Sequence, residues 1–223
     1  MRPRVLLDTA DVPGGGQLRL FRRDDEYSIM LGANELMNSR LSGSEEALAT
    51  LAIERMPQGP TPAVLIGGLG MGFTLRAALA VLPAGARVVV AELVPAVIVW
   101  ARGPMADIFA GCLDDPRVDV VEADIAEPIR SRRAAYDSVL LDVDNGPHGL
   151  TRDDNDRLYG AHGLAALRVA LRPGGVLALW SSAPDRGFAA RLKRAGFAVE
   201  EVVARARGDR GGARHVIWLA ISL

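Results

Sequence analysis

Two hydrophobic rhythms run along the chain. Near its start, Gln17-Leu18-Arg19-Leu20-Phe21 and Tyr27-Ser28-Ile29-Met30-Leu31 alternate apolar and polar positions around Arg22-Arg23-Asp24-Asp25-Glu26. Period two on both sides of a polar stretch predicts a β-hairpin. A helix start follows at Ser44. Glu45 and Glu46 place negative charge in its first turn, and Leu48, Leu51, Ala52 and Met56 form one apolar face. Pro60 and Pro62 close this section.

Beyond Pro62, unbroken apolar runs alternate with helical patterns. Ala63–Ile66, Arg87–Glu92, Val118–Val121, Ser138–Leu141 and Val176–Trp180 each predict a buried strand. Between them lie a helix carrying Leu75, Ala78, Leu79 and Leu82, one starting at Pro95, and one from about Leu158 to Leu171 that ends at Arg172-Pro173-Gly174-Gly175. After a helix near Gly187–Arg194, Val199–Ala204 and His215–Ile221 form two strands joined without a helix, hence an antiparallel edge. Continuous apolar strands separated by helices imply a parallel sheet covered on both faces. The expectation is an α/β chain: a short β-hairpin extension over residues 1–43, then a seven-stranded Rossmann-like domain over 44–223 with an antiparallel edge strand.

Composition narrows the function. Lys and Arg total 26 against 27 Asp and Glu, a net charge of −1, so no basic field exists to hold nucleic acid. Hydrophobic residues make up 49% of 223, which excludes a disordered chain. The single cysteine, Cys112, excludes an internal disulfide framework and a multi-cysteine zinc site. His148, His162 and His215 lack ligand-like spacing, so no metal is expected. No run reaches the ~18 apolar residues of a membrane span, and Asp8 and Asp11 come too early for a secretory signal. A cytoplasmic protein without membrane or nucleic-acid partners is the expectation.

The strongest chemical signal is Gly67-Gly68-Leu69-Gly70-Met71-Gly72, directly after the first buried strand. Glycines there let the backbone approach a ligand, and the next helix presents free N–H groups. Phe73 stands where a dinucleotide fingerprint beginning at Gly68 needs glycine; the G-x-G-x-G spacing resembles the class I S-adenosylmethionine-dependent methyltransferase loop. Glu92 ends the second strand about 20 residues on, where a carboxylate accepts ribose hydroxyls. Asp124, followed by Ile125, ends the third strand, placed to accept an adenine amino group. Asp142 and Asp144 end the fourth. Trp100, Tyr159 and Trp180 read as core, although each ring face also suits a sulfonium.

Val64–Leu75, Val89–Ala101, Asp115–Val120, Tyr136–Asp142 and Leu158–Val176 together resemble the spermidine synthases (polyamine aminopropyltransferases), which share the methyltransferase-like fold. The resemblance implies that Gly67, Gly68, Gly70, Gly72, Glu92, Asp124 and Ile125 bind decarboxylated S-adenosylmethionine, and that Asp142 and Asp144 serve a small-molecule amine acceptor. It also implies a homodimer. Three segments depart from the family pattern, one being its aromatic pair after the fourth strand, which falls on Gly163 and Leu164 here. Its Asp-Ser-Ser/Thr-Asp-Pro type segment is Asp142-Val143-Asp144-Asn145-Gly146-Pro147 here, so either Asp144 or Asn145 stands in the base's place. Its Tyr-His-Glu segment is replaced by Ser44-Glu45-Glu46-Ala47. Methyl transfer from S-adenosylmethionine to a small molecule, and nucleoside binding without catalysis, are the alternatives.

Overall fold

In the computed structural model, residues 3–143 and 158–223 are described. The N-terminal part is a four-stranded antiparallel meander, β1 (Val5–Asp11), β2 (Gln17–Arg23), β3 (Glu26–Leu31) and β4 (Asn34–Asn38). The predicted hairpin is its centre, with Leu20 opposite Ile29. The two outer strands are additions to that expectation. β1 is exposed along almost its whole length, so it has no buried face to impose alternation. Backbone pairing with β2, not a sequence pattern, makes it a strand.

Helix α1 (Gly43–Arg55) leads into the main sheet, formed by β5 (Ala63–Gly67), β6 (Arg87–Glu92), β7 (Val118–Glu122), β8 (Tyr136–Leu141), β9 (Leu171–Ser181), β10 (Phe197–Arg205) and β11 (Arg214–Ser222). Their order is β10-β11-β9-β8-β5-β6-β7. β5 to β9 run parallel, while β11 is antiparallel to both β9 and β10. Between the strands lie α2 (Phe73–Val81), α3 (Pro95–Arg102), α4 (Ala106–Phe109), α5 (Ala126–Arg130), α6 (Ala161–Ala170) and α7 (Arg186–Arg194).

Strand alternation divides the core. Val64, Ile66, Val90 and Leu140 pack on one face with Leu48 and Ala52 of α1, Leu75 of α2 and Trp100 of α3. Leu65, Val139 and Leu141 point to the other, with Ile129 of α5, Leu164 of α6 and Phe188 of α7. All six residues of β8 are buried, the signature of a central parallel strand. Leu18, Leu20, Tyr27 and Ile29 of the meander belong to the first of these clusters, so the N-terminal sheet shares its core with the main sheet. Trp100 fixes the outer strand too, its Nε1–H donating to Asp8 Oδ2 at 2.6 Å. Cys112 is a buried packing residue whose thiol is pushed up to about 11 by burial. Among the described residues no helix is long and apolar enough to cross a membrane.

Candidate active site

The chain leaves β5 for β6 and β7 on one side and returns to β8 on the other, so the carboxyl ends of β5 and β8 flank a crevice at the switch in strand order. Backbone bonds tie this rim together: Gly68 N–H to the Ala91 carbonyl at 2.9 Å, Ala123 N–H to that of Glu92 at 3.0 Å, and Asp142 N–H to that of Gly67 at 3.1 Å. The glycine loop turns through positive φ at Gly68, Gly70 and Gly72, the last forming the start of α2. A Cβ on Gly72 would lie 2.5 Å from the ring of Phe109, and one on Gly68 would lie 2.7 Å from the Asp142 carbonyl oxygen. Gly67 is closed off by Ile125, whose Cγ1 would meet an added Cβ at 2.9 Å.

Glu92 is buried, not a solvated strand end. One carboxylate oxygen accepts the Leu69 N–H at 2.9 Å and the other the Val94 N–H at 2.8 Å, so the side chain holds the loop it faces. Burial pushes its carboxyl upward while these backbone donors oppose the shift. Asp124 lies two residues before α5, its Oδ1 accepting the Ala126 N–H at 2.9 Å.

Two adjoining cavities occupy the crevice, sharing Leu36, Met37, Gly70 and Asp142. One, of about 140 Å³, is walled mainly by apolar side chains of the meander and by Gly68, Glu92, Leu93 and Val97. The other, of about 90 Å³, is bounded by Glu45, Phe73, Asp142 and Trp180. Asp124 and Ile125 line neither. Every charged residue on these walls is acidic: Glu45, Glu92 and Asp142.

Asp142 accepts the Thr74 hydroxyl at 2.7 Å on Oδ2. Burial raises its carboxyl and the Thr74 bond opposes that. Glu45 is raised to about 7, first by burial and then by the Asp142 charge, with the Ser44 hydroxyl pulling the other way. The two carboxylates therefore form a coupled pair at one end of the crevice. Asp144, Asn145 and His148 lie outside the described residues, while Asp142 lines both cavities. Among the described residues, no group of three or more His, Cys, Asp or Glu could hold a metal ion.

Several residues at or behind this wall were not assigned to the site by the sequence reading. Glu45 read only as first-turn charge on a helix, yet α1 starts at this rim and turns the carboxylate inward. Trp180 read first as core, with its ring face also suited to a sulfonium; it forms cavity wall, and its indole N–H has no partner among the described residues. His215 read only as the start of a strand. Because β11 runs against β9, its first residues come to the rim where the parallel strands end, and the His215 ring lies 4.7 Å from that of Trp180. Reversal of the last strand was the one available signal for it.

No protein-family model matches the chain. Polyamine aminopropyltransferase of Mycobacterium tuberculosis strain H37Rv is 35% identical over 128 residues, 54% of this chain and 23% of that protein. Polyamine aminopropyltransferase 1 of Streptomyces coelicolor is 36% identical over 129 residues, 56% of this chain and 23% of that protein. The match thus spans about a quarter of the length of these curated relatives. Among solved structures, spermidine synthase from Thermotoga maritima superposes with a TM-score of 0.78 at 20% identity, over 98% of this chain and 73% of that one. A spermidine synthase in complex with the transition-state analogue AdoDATO gives 0.77 at 20% identity, over 98% and 72%. Over the matched half the chain is similar in sequence to polyamine aminopropyltransferases, and over nearly all its length it shares the fold of the solved spermidine synthases.

Proposed function

We propose that the protein transfers an aminopropyl group from decarboxylated S-adenosylmethionine to an aliphatic amine. The carrying observation is the charge of the crevice. Three carboxyl groups line it, and no Lys, Arg or His does so among the described residues. A donor bearing a sulfonium and an ammonium suits such walls. Intact S-adenosylmethionine brings a carboxylate that needs a cationic partner, which disfavours methyl transfer.

The donor's adenosyl part would rest on Gly68 and Gly70, with Glu92 offering its remaining lone pairs to the ribose hydroxyls. Gly67, Gly72 and Ile125 shape the loop and its support, and Asp124 is assigned to the adenine amino group. The reacting end lies toward Trp180, Glu45 and Asp142, where an indole face and carboxylates attract cationic centres. An aliphatic amine is protonated at pH 7, so it must bind as a cation and shed a proton before its lone pair can attack. Asp142 is assigned both duties; Asp144, two residues further along the sequence, is a second candidate base. The amine nitrogen then bonds to the carbon beside sulfur, and the C–S electrons return to sulfur as a neutral thioether.

Titration calorimetry with both donors, followed by mass-spectrometric product detection over a panel of aliphatic diamines, tests the reading. Binding of the decarboxylated donor and a product heavier by one aminopropyl group are expected. Tight binding of intact S-adenosylmethionine alone would overturn it in favour of methyl transfer.

A further inference from the structure

The transfer has a proton balance that the crevice must satisfy. A protonated amine and a sulfonium go in; a protonated secondary amine and a neutral thioether come out, so one proton leaves per turnover. Asp142, which receives it, is itself held by the Thr74 hydroxyl at 2.7 Å.

A hydrogen-bonded chain runs out from the neighbouring carboxylate. Ser44 is fully buried, and its Oγ lies 2.7 Å from Glu45 Oε2 and 2.8 Å from His215 Nδ1. Those three groups come from the start of α1 and the start of β11, elements locked together at this point. Gly43 N–H donates to the Ala206 carbonyl at 3.0 Å. A Cβ on Gly43 would strike the backbone nitrogen of Gly208, so only glycine allows the β10–β11 turn to press this closely on α1.

We propose that Glu45, Ser44 and His215 carry the released proton from the crevice toward solvent. The proton that Asp142 takes from the amine passes to Glu45, its neighbour on the same wall; Ser44 and His215 act as positioning residues through Glu45, which alone of the three lines the crevice. The inference rests on the transfer reading above. One hydroxyl proton serves two neighbours, so the chain has two consistent directions. With Glu45 ionised, His215 Nδ1–H donates to Ser44 Oγ and Ser44 donates to Glu45. With Glu45 protonated and the ring carrying its hydrogen on Nε2, Glu45 donates to Ser44 and Ser44 to Nδ1. A proton entering at Glu45 then leaves from Nε2 after one transfer along each bond, and before the next turnover the ring gives up its Nδ1 hydrogen and takes one from solvent on Nε2. The groups facing Glu45 are Asp142 just after β8, Glu46 and Ser44 from α1, and His215 through Ser44; the neutral Thr74 and Trp180 stand on the same wall. Burial lowers His215, so the ring passes a proton onward and does not retain it.

The test compares steady-state turnover of the full chain, Ser44→Ala, Ser44→Thr and His215→Gln in weak and in rising imidazole buffer, using the decarboxylated donor and the best diamine of the panel. Ser44→Ala and His215→Gln are expected to lose at least about tenfold in kcat with donor KM unchanged. Imidazole should restore much of that loss while leaving the parent rate flat, and Ser44→Thr should keep most of the rate. Unchanged kcat in both disabling variants overturns the relay and leaves the transfer reading standing. So does a loss that imidazole does not relieve. Absence of any aminopropylated product from the parent chain overturns the transfer reading and the relay with it.

Discussion

Replacing Glu45 by Gln should make the protein more stable at high pH while weakening it as a catalyst. The Glu45 carboxyl moves from 4.5 to about 7 on folding. A carboxyl raised in the folded state binds its proton more tightly there, so its ionisation opposes folding. That cost is small below the unfolded value, grows as pH rises between 4.5 and 7, and is fully present above 7. A shift of that size corresponds to about 3 kcal/mol at pH 8 and under about 1 kcal/mol at pH 5. Gln keeps an oxygen for the Ser44 hydroxyl and cannot ionise, so it removes the cost without opening a cavity. For a chain of this length each kcal/mol is worth roughly 2–4 °C. Glu45→Gln should therefore raise the melting temperature by about 6–12 °C at pH 8 and by no more than about 3 °C at pH 5. Thermal unfolding followed by circular dichroism from pH 5 to 9 reads this directly. A difference that stays constant across that range, or that grows toward acid, would show that burial and the Asp142 charge do not raise the Glu45 carboxyl. The same variant should bind the diamine less tightly, since one carboxylate facing its ammonium is gone.

Asp142→Asn keeps an acceptor for the Thr74 hydroxyl but cannot take a proton, so kcat should fall at least about tenfold with the donor still bound; unchanged turnover would remove Asp142 from the chemistry. Glu92→Ala leaves the Leu69 and Val94 N–H groups without their acceptor and takes away the ribose acceptor, so calorimetry should show donor affinity weaker by about tenfold or more. Gly72→Ala forces an L residue into φ +77° and drives its methyl against the Phe109 ring, which should cost about 2–3 kcal/mol in denaturant unfolding.

The sequence alone determined the sheet. Unbroken apolar runs such as Val64–Ile66 and Val139–Leu141 can only be buried on both faces, and the helical patterns between them force parallel crossovers with ligand-binding loops at one end. The glycines and Glu92 were legible for the same reason: each is fixed by local backbone geometry at a strand end. What lay outside reach depended on elements distant in the chain. β1 has no buried face and exists only because β2 offers a pairing edge. The carboxylate pair of Glu45 and Asp142, and the line from Glu45 through Ser44 to His215, join α1, β8 and β11, separated by up to 171 positions. No periodicity encodes such a meeting. It is decided by a reversed last strand, which delivers His215 to the rim, and by close packing of the β10–β11 turn on Gly43, which sets the start of α1 beside it.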